Sequence, residues 1–315
     1  MTGDRLLVVS HRPGLPSGAG SLLDELLPRL PAVVERVEGP SGSLAERAAL
    51  ELRIRKVAAS HRPTHALTTG PSLSLSVPTA RLAGPPEPAP SSSLRRRLRR
   101  TARATTLLPP ASQGLHGAGT ELRTGIDTER FVPSAKPEGG PVRVLFLGRL
   151  VPSRGAHAAI EAMQGLPGWA QESAHLDVVG SAQDPVYLER LRGRARGLPV
   201  TVHPDVPDPV PYLRRASIAL LPATAEDGWG RSVLEAMASG LAVITSRGAV
   251  LDALVGDAAL QVPAGNLKEL GEALRTLLRR REEREALGER ARERAVSQND
   301  WSVVSPAWTR AVLGR

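Results

Sequence analysis

From residue 141 onward, short apolar runs alternate with stretches whose apolar residues recur every three or four positions. The apolar runs are VRVLFLG (142–148), HLDVVG (175–180), VTVH (200–203), SIALLPA (217–223), AVITS (242–246) and AALQVPAG (258–265). Runs of this length are typical of strands buried on both faces. The stretches between them have helical spacing, and a long helical tract covers 267–295. Strands alternating with helices in this way predict a parallel, doubly wound α/β sheet.

The first part of the chain shows the same alternation less regularly. RLLVVSHR (5–12) predicts a first strand and GSLLDELLPRL (20–30) a first helix, and the pattern continues with a helix over 43–61, a strand end at HALTTG (65–70) and a basic helix running into a strand over 94–108. The linker-like stretch SAKPEGG (134–140) separates this part from the regular one.

We therefore predict two Rossmann-like domains, a shortened N-terminal one over 1–136 and a C-terminal one over 137–301. A last apolar helix over 302–315 is expected to pack back on the N-terminal domain. Ligands of doubly wound sheets bind at the carboxyl ends of the strands. Two such domains in tandem are expected to face each other across a cleft that holds the ligand.

Composition narrows the possible chemistry. The formal net charge is +9, lysine occurs only at Lys56, Lys136 and Lys268, and cysteine is absent. Arginine suits phosphate binding because its guanidinium group binds oxyanions through two parallel hydrogen bonds. The absence of cysteine excludes disulfides, thiolate nucleophiles and cysteine metal sites. No run approaches about 18 apolar residues and the start does not read as a signal peptide, so we expect a cytoplasmic protein.

An arginine pair follows the first apolar run of the regular region. GRLVPSRG (148–155) places Arg149 and Arg154 between two glycines at the start of a helix. Fixed charge, helix dipole and unpaired N–H groups act together at such a place to bind an anion. Most arginines are solvated surface charges, but the position of this pair at the carboxyl end of a strand favours ligand binding.

The stretch EDGWGRSVLEAMASG (226–240) follows the apolar run over 217–223. It predicts a helix with Val233, Met237 and Leu241 on one buried stripe, because these residues lie at intervals of four positions. The residues ahead of this helix therefore also lie at the carboxyl end of a strand.

Carboxylates stand on both sides of the Gly-Trp-Gly turn in this stretch. Glu235 is off the buried stripe, and a carboxylate that only accepts hydrogen bonds suits a diol such as a ribose. The alternative is an acid stabilised by the helix dipole, and Glu226 and Asp227 are equally open to a helix-capping role. The turn favours ligand binding, because the N–H groups at Gly228 and Gly230 can approach a ligand closely where side chains are absent.

Three segments together resemble the retaining family-4 glycosyltransferases of the GT-B fold. They are FLGRLVPSRGAHAAIEAM (146–163), YLRRASIALLPATAEDGWGRSVLEAMASGLAVITS (212–246) and LRTGIDTERFVP (122–133). The resemblance covers the chain from about residue 119 onward. It implies two Rossmann-like domains and the transfer of a sugar from a nucleotide-diphosphate donor to an acceptor hydroxyl, with no cofactor and no metal ion.

The resemblance also implies a donor site. Seven residues would contact the diphosphate, three of them through backbone N–H groups (Arg231, Ser232 and Val233) and two in a glycine loop of the first domain (Gly18 and Gly20). The other two are Arg149 and Arg154. Glu235 would hold the ribose hydroxyls and Val206 would lie near the base. The transferred sugar would contact the turn Gly228, Trp229 and Gly230. The acidic pair before this turn, Glu226 and Asp227, would have the catalytic role.

Two departures from the family keep other functions open. The family commonly has a histidine where this chain has Ala83, and Asp227 stands where the first glutamate of the family phrase is usual. The alternatives are a sugar-nucleotide-binding protein without catalysis and a sugar-nucleotide epimerase. A pyridoxal-dependent phosphorylase is disfavoured, since Lys268 lies in a predicted surface helix.

Two charged tracts have simpler interpretations. The basic tract Arg95–Arg103 favours a solvated helix face, with peripheral contact to an anionic membrane or a polyanionic acceptor as the alternative. The mixed-charge tract over 278–294 predicts a salt-bridged surface helix. Basic residues without interleaved aromatics argue against nucleic acid as a partner. No Asp-x-Asp phrase and no His/Asp cluster predicts a metal site.

Overall fold

The computed structural model describes residues 5–10, 22, 24–38, 60, 65–68, 79–82, 104–108, 120–135, 139–223 and 230–313. The contacts of the chain divide it into two compact units, Met1–Gly125 with Ser302–Arg315, and Ile126–Trp301. This division differs from the predicted boundary at 136, because residues 126–131 bond to the second unit. The Ile126 N–H donates to the Asn299 carbonyl at 2.9 Å, for example.

The described residues of the first unit form a parallel six-stranded sheet. Its strands are β1 (Arg5–Ser10), β2 (Val33–Glu38), β3 (His65–Thr68), β4 (Thr79–Leu82), β5 (Ala104–Leu108) and β6 (Thr120–Glu121). They are arranged in the order β2-β1-β3-β4-β5-β6. Leu6, Leu7 and Val8 of β1 are fully buried, as the apolar run predicts. The predicted helix over 43–61 and the basic tract Arg95–Arg103 lie outside the described residues, except for the helical Ser60.

The second unit contains the regular alternation of the sequence. Its strands are β7 (Val142–Leu147), β8 (Ala174–Gly180), β9 (Val200–Pro204), β10 (Ile218–Leu221), β11 (Ala242–Ser246) and β12 (Leu260–Val262). Its helices are α1 (Ala156–Gln164), α2 (Gly168–Glu172), α3 (Pro185–Ala195), α4 (Val210–Arg215), α5 (Arg231–Ala238), α6 (Ala249–Val255), α7 (Leu267–Arg279) and α8 (Arg281–Asn299).

All strands of this second sheet are parallel, in the order β12-β11-β10-β7-β8-β9. Alternate residues of β7 enter two separate cores, with Val144 and Phe146 on one face and Leu145 and Leu147 on the other. Helices α1 and α7 pack on the first face and α5 on the second. The prediction of a doubly wound α/β sheet is confirmed.

The helical tract predicted over 267–295 is two helices rather than one. Arg280 separates α7 from α8 with backbone angles of φ −108° and ψ 88°, outside the helical region. The Arg284 guanidinium donates to the Leu277 carbonyl at 2.6 Å, so it caps the end of α7. Burial lowers the pKa of Arg284, more than the nearby charges of Glu285 and Arg281 change it.

The arginines of α8 do more than form the predicted surface salt bridges. Arg281 does pair with Glu285 in the expected i,i+4 geometry. Arg294, however, donates to the carbonyls of Ala253 and Leu254 at the end of α6. Positive charge at a helix C-terminus is favourable because it is attracted to the negative end of the helix dipole. The mixed-charge helix is therefore partly an anchor for the ends of its neighbours.

The last helix, α9 (Trp301–Leu313), belongs to the first unit from Ser302 onward. The Trp308 side chain is fully buried, and its indole N–H donates to the Arg123 carbonyl at 2.8 Å. None of the helices in the described parts of the chain combines the length and apolar character needed to cross a membrane.

A buried carboxylate lies on the α4 side of the second sheet. Asp177 is 2% exposed and accepts from Arg143 at 2.7 Å and from His203 at 2.8 Å. The Arg215 guanidinium lies 3.3 Å from the same carboxylate, and His175 Nε2 lies 3.9 Å from it. A carboxylate this deeply buried requires such compensation. Burial lowers the pKa of His175, the Arg143, His203 and Arg215 charges lower it further, and Asp177 opposes them.

The lowered pKa of His175 predicts loss of stability in acid. As the pH falls below the ordinary imidazole pKa of about 6.5, His175 takes up a proton in the unfolded chain more readily than in the folded chain. The free energy of unfolding should therefore fall as pH decreases through 6.5, and His175→Gln should make this fall shallower. Chemical denaturation of the whole chain between pH 8 and 5 tests this. His157→Gln is the control, since His157 bonds to Tyr187 at 2.9 Å instead; equal slopes for wild type and His175→Gln would contradict the prediction.

Candidate functional site

The second sheet has a topological switch point between β7 and β10. From β7 the chain moves outward through β8 and β9, and it then returns to the other side of β7 with β10, β11 and β12. Loops that leave the carboxyl ends of two such neighbouring strands diverge and leave a crevice, where ligands of open α/β sheets bind. The loops after β7 and β10 contain the two motifs predicted from the sequence.

The loop after β7 is short and closely bonded. It runs from Gly148 through a turn of 3₁₀-helix (Pro152–Arg154) to Gly155, which has a left-handed backbone (φ 78°) and precedes α1. The Leu150 N–H donates to the Ser181 carbonyl after β8 at 2.8 Å. Arg149 and Arg154 are both half-buried in this loop. The structure therefore places the predicted arginine pair at the switch point, next to the N-terminus of α1.

Two glycines at the carboxyl ends of these strands allow neighbouring backbone segments to approach more closely than any other residue would. A Cβ atom at Gly155 would lie 1.9 Å from the Pro222 carbonyl oxygen after β10. A Cβ atom at Gly180, at the end of β8, would lie 1.6 Å from the Gly148 carbonyl oxygen. The carboxyl ends of β7, β8 and β10 are therefore in direct backbone contact.

Helix α5 begins at the same switch point. Its N-cap is Gly230, which has a left-handed backbone (φ 61°) and no side chain to cap the first N–H groups. Ser232 Oγ lies 4.0 Å from the position of a Cβ atom at Gly148, so the first turn of α5 adjoins the loop after β7. Val233 is buried, as the predicted stripe requires. The N-termini of α1 and α5 flank the switch point from opposite faces of the sheet.

The Arg231 side chain is a feature that sequence reasoning missed. The prediction assigned only its backbone N–H, but its guanidinium donates to Glu235 Oε1 at 3.1 Å. The Arg231 and Glu235 side chains are 6% and 13% exposed. Glu235 thus lies within the first two turns of α5, as predicted, and is held in an ion pair. The i,i+4 spacing was the signal that could have revealed it.

Val206 follows β9 and is half-buried against the core on the α5 side. The residue before it, Asp205, has a left-handed backbone (φ 53°), which is uncommon for residues other than glycine. Its N–H donates to the Gly180 carbonyl at 2.8 Å, and its carboxylate accepts from the Ala182 N–H at 2.9 Å. These two bonds connect the end of β9 to the end of β8.

Several predicted site residues lie outside the described residues. These are the acidic pair, part of the turn after it, the glycine loop of the first domain and the residue at the family histidine position: Glu226, Asp227, Gly228, Trp229, Gly18, Gly20 and Ala83. Their roles stay predictions. Within the ranges that the structure describes, no three His, Cys, Asp or Glu side chains come close enough to hold a metal ion. The expectation of a metal-independent reaction likewise stays a prediction.

Solved structures share this fold over nearly the whole chain. HepE from Anabaena, crystallised in complex with UDP and glucose, matches with a TM-score of 0.80 at 18% identity, covering 99% of this chain and 100% of that chain. Sucrose-phosphate synthase from Thermosynechococcus elongatus matches with a TM-score of 0.79 at 17% identity, covering 98% of each chain. At these identities the likeness establishes the fold alone. The chain has the GT-B fold, with two Rossmann-like units.

The sequence then defines the family within that fold. The pattern of the glycosyl transferases group 1 family matches residues 127–294, more than half of the chain. This chain belongs to the glycosyl transferases group 1 family.

Two curated relatives come from mycobacteria. Glycogen synthase of Mycobacterium tuberculosis (strain H37Rv) is 30% identical over 200 residues, 62% of this chain and 48% of that protein. Phosphatidyl-myo-inositol mannosyltransferase of Mycobacterium leprae is 29% identical over 209 residues, 61% of this chain and 53% of that protein. The matched region thus spans about half the length of these relatives.

Proposed function

We propose that this chain is a retaining family-4 glycosyltransferase, which moves a sugar from a nucleotide-diphosphate donor to an acceptor hydroxyl without a metal ion. The observation that carries the proposal is that a loop with two half-buried arginines and the starts of two helices lie together at the switch point between β7 and β10. Each of these groups favours a negative charge at the same place. Membership of the glycosyl transferases group 1 family makes a nucleoside diphosphate the natural anion.

The arrangement suits the departure of a diphosphate. Negative charge grows on the phosphate oxygen as the bond to the sugar carbon breaks. Arg149, Arg154 and the N–H groups at the start of α5 would stabilise this charge more in the transition state than in the bound donor. Because these groups are already in place, little reorganisation accompanies the reaction. They would stabilise the leaving diphosphate, a task that a bound metal ion performs in other transferases.

The rest of the donor would extend along the same edge of the sheet. Glu235 would accept hydrogen bonds from the ribose hydroxyls, and the base would lie near Val206. The acidic pair Glu226–Asp227 and the turn after it would hold the sugar. The acceptor hydroxyl would form the new bond on the face that the leaving phosphate vacates, and its proton would pass to a phosphate oxygen. The products are then a glycoside of unchanged anomeric configuration and a nucleoside diphosphate.

The diphosphate assignment is tested at Arg154. The intact protein is first titrated calorimetrically with the diphosphates of uridine, guanosine, adenosine and thymidine, and at least one is expected to bind. Arg154→Ala should then weaken that diphosphate by about 10- to 100-fold, the effect of losing one charge-assisted hydrogen bond. Turnover of the matching donor sugar should fall as well, because the lost charge also stabilises the leaving group.

Arg190→Ala is the matched control, since Arg190 is exposed on α3, away from the switch point. Unchanged affinity and turnover in Arg154→Ala would disprove the diphosphate assignment. Failure of all four diphosphates to bind the wild-type protein would refute the proposed function itself. Binding without hydrolysis or transfer would favour a non-catalytic sugar-nucleotide-binding protein. Interconversion of donor sugars in the absence of an acceptor would instead identify an epimerase.

A further inference from the structure

The ion pair between Arg231 and Glu235 is unusual for the first turns of a helix. Arg231 is the first residue of α5, and its guanidinium reaches Glu235 Oε1 at 3.1 Å. The two side chains are only 6% and 13% exposed. For comparison, Arg281 and Glu285 on α8 form a pair of the same spacing whose side chains are 78% and 54% exposed. The pair on α5 is therefore largely removed from water, whereas the pair on α8 is not.

Local helix energetics do not account for this pair. A cation at a helix N-terminus is opposed by the positive end of the helix dipole. The order arginine before glutamate is also the weaker of the two i,i+4 arrangements. The neighbouring Val233 and Leu234 are buried, so an apolar side chain at position 231 would continue the core and avoid the desolvation of a charge. Local rules broken in this way are expected at functional sites.

The partner of Arg231 is the residue to which the proposed function assigns the ribose. A carboxylate that receives two adjacent hydroxyl groups must keep a fixed orientation. Glutamate has three rotatable side-chain bonds, and fixing them costs conformational entropy. Because the buried guanidinium already bonds to Oε1 in the folded protein, the Glu235 side chain is ordered before any donor binds, and binding carries less of this entropy cost. Its positive charge also balances the carboxylate, which would otherwise repel a diphosphate at the start of the same helix.

We infer that the Arg231 side chain is the positioning residue of the ribose site, holding the Glu235 carboxylate in the orientation that distinguishes a ribose from a deoxyribose. The inference rests on the proposed function, since it assumes that Glu235 receives the ribose hydroxyls. It adds a role for the buried guanidinium to that of the Arg231 backbone N–H.

The experiment compares a ribonucleoside diphosphate with its 2′-deoxy form, using the base that the wild-type protein binds best. The measured quantity is the ratio of the two dissociation constants within each variant, which is insensitive to a general loss of folded protein. Glu235→Gln should reduce the wild-type preference for the ribose form. Arg231→Met should reduce it by about tenfold, while binding of the deoxy form changes little. Arg231→Lys, which keeps the charge, should restore most of the preference.

Two further variants complete the design. Arg281→Met removes the exposed pair of identical spacing on α8 and should leave the ratio unchanged. If Arg231→Met does not fold, Arg231→Leu replaces it, because its apolar side chain cannot donate to Glu235 and would continue the core beside Val233 and Leu234. It should show the same loss of preference. Thermal denaturation of each variant without ligand identifies the proteins that are folded.

The outcomes separate the inference from the proposed function. Loss of the ribose preference in Glu235→Gln and in Arg231→Met or Arg231→Leu supports both. Loss in Glu235→Gln with a wild-type ratio in the Arg231 variants overturns the inference and leaves the ribose assignment intact. A fall in affinity of the Arg231 variants that is equal for both nucleotides identifies a purely structural role and also overturns it. A wild-type protein that binds diphosphates without ribose preference overturns the role of Glu235, and the inference with it.

Discussion

Gly155→Ala is expected to reduce the affinity for nucleoside diphosphates by at least about 100-fold and to destabilise the second unit by about 2–5 kcal/mol. The new Cβ atom would lie 1.9 Å from the Pro222 carbonyl oxygen, which is backbone and cannot rotate away. The left-handed conformation of Gly155 adds about 1–2 kcal/mol for any L-residue, and overpacking adds about 1–3 kcal/mol. A misplacement of about 1 Å can slow a reaction about 100-fold. We expect a comparable effect on the affinity for a ligand that the same loop positions.

The affinity is measured by calorimetry and the free energy of unfolding by denaturant titration. Gly193→Ala is the control, because Gly193 lies in the last turn of α3 with nothing within 4 Å of its Cβ position. That substitution should be neutral or slightly stabilising, since alanine favours the helix. Wild-type binding and stability in Gly155→Ala would show that the loops after β7 and β10 are not in the contact described.

Arg292→Met is expected to lower the free energy of unfolding of the second unit by about 2–4 kcal/mol, with no comparable change in the intrinsic affinity for nucleoside diphosphates. The Arg292 guanidinium donates to the carbonyls of Ala238 at 2.6 Å, Phe131 at 2.7 Å and Thr128 at 3.1 Å. Each lost charge-assisted bond leaves a partly buried carbonyl without its donor. Burial lowers the pKa of Arg292, and Asp300 opposes this shift.

The control for this substitution is Arg290→Met on the exposed side of the same helix, which should change stability by less than about 0.5 kcal/mol. Chemical denaturation followed by circular dichroism measures both variants. Equal stability of Arg292→Met and Arg290→Met would mean that the end of α5 and residues 128–131 do not depend on this guanidinium.

Much of the second unit could be predicted because most of its strands are mainly apolar runs. Strands β7, β10 and β11 coincide with such runs, and burial on both faces favours that pattern, whereas β8 was predicted although it contains the buried Asp177. In the first unit, strand β2 was missed, since the charges in VVERVE (33–38) interrupt its apolar residues. The break between α7 and α8 was also missed, because the helical spacing continues on both sides of Arg280. Helix α6 was too short to stand out from its flanking loops.

The candidate site was predictable where it depends on position along the chain. The place of Arg149 and Arg154 could be predicted because they follow β7 at a short interval, and that of Glu235 because it lies in the helix after β10. The topology brings the ends of these two strands together, and the roles of the three residues stay predictions. The contact between Gly180 and Gly148 depends on the register of β7 against β8, which the sequence does not display. The burial of the Arg231 side chain depends on the packing around α5, which is equally invisible at that level.

The close packing of the strand ends means that the proposed parts of the donor site cannot change independently. The end of β9 bonds to the end of β8 through Asp205, and β8 touches Gly148 at the start of the arginine loop. A substitution that displaced Asp205 to accommodate a different base would therefore also move the anchor of Arg149. Under the proposed function, in which the base lies near Val206 and the diphosphate near Arg149, nucleotide selectivity and phosphate binding would therefore be coupled. A change of donor would then require paired substitutions at the ends of β7 and β9.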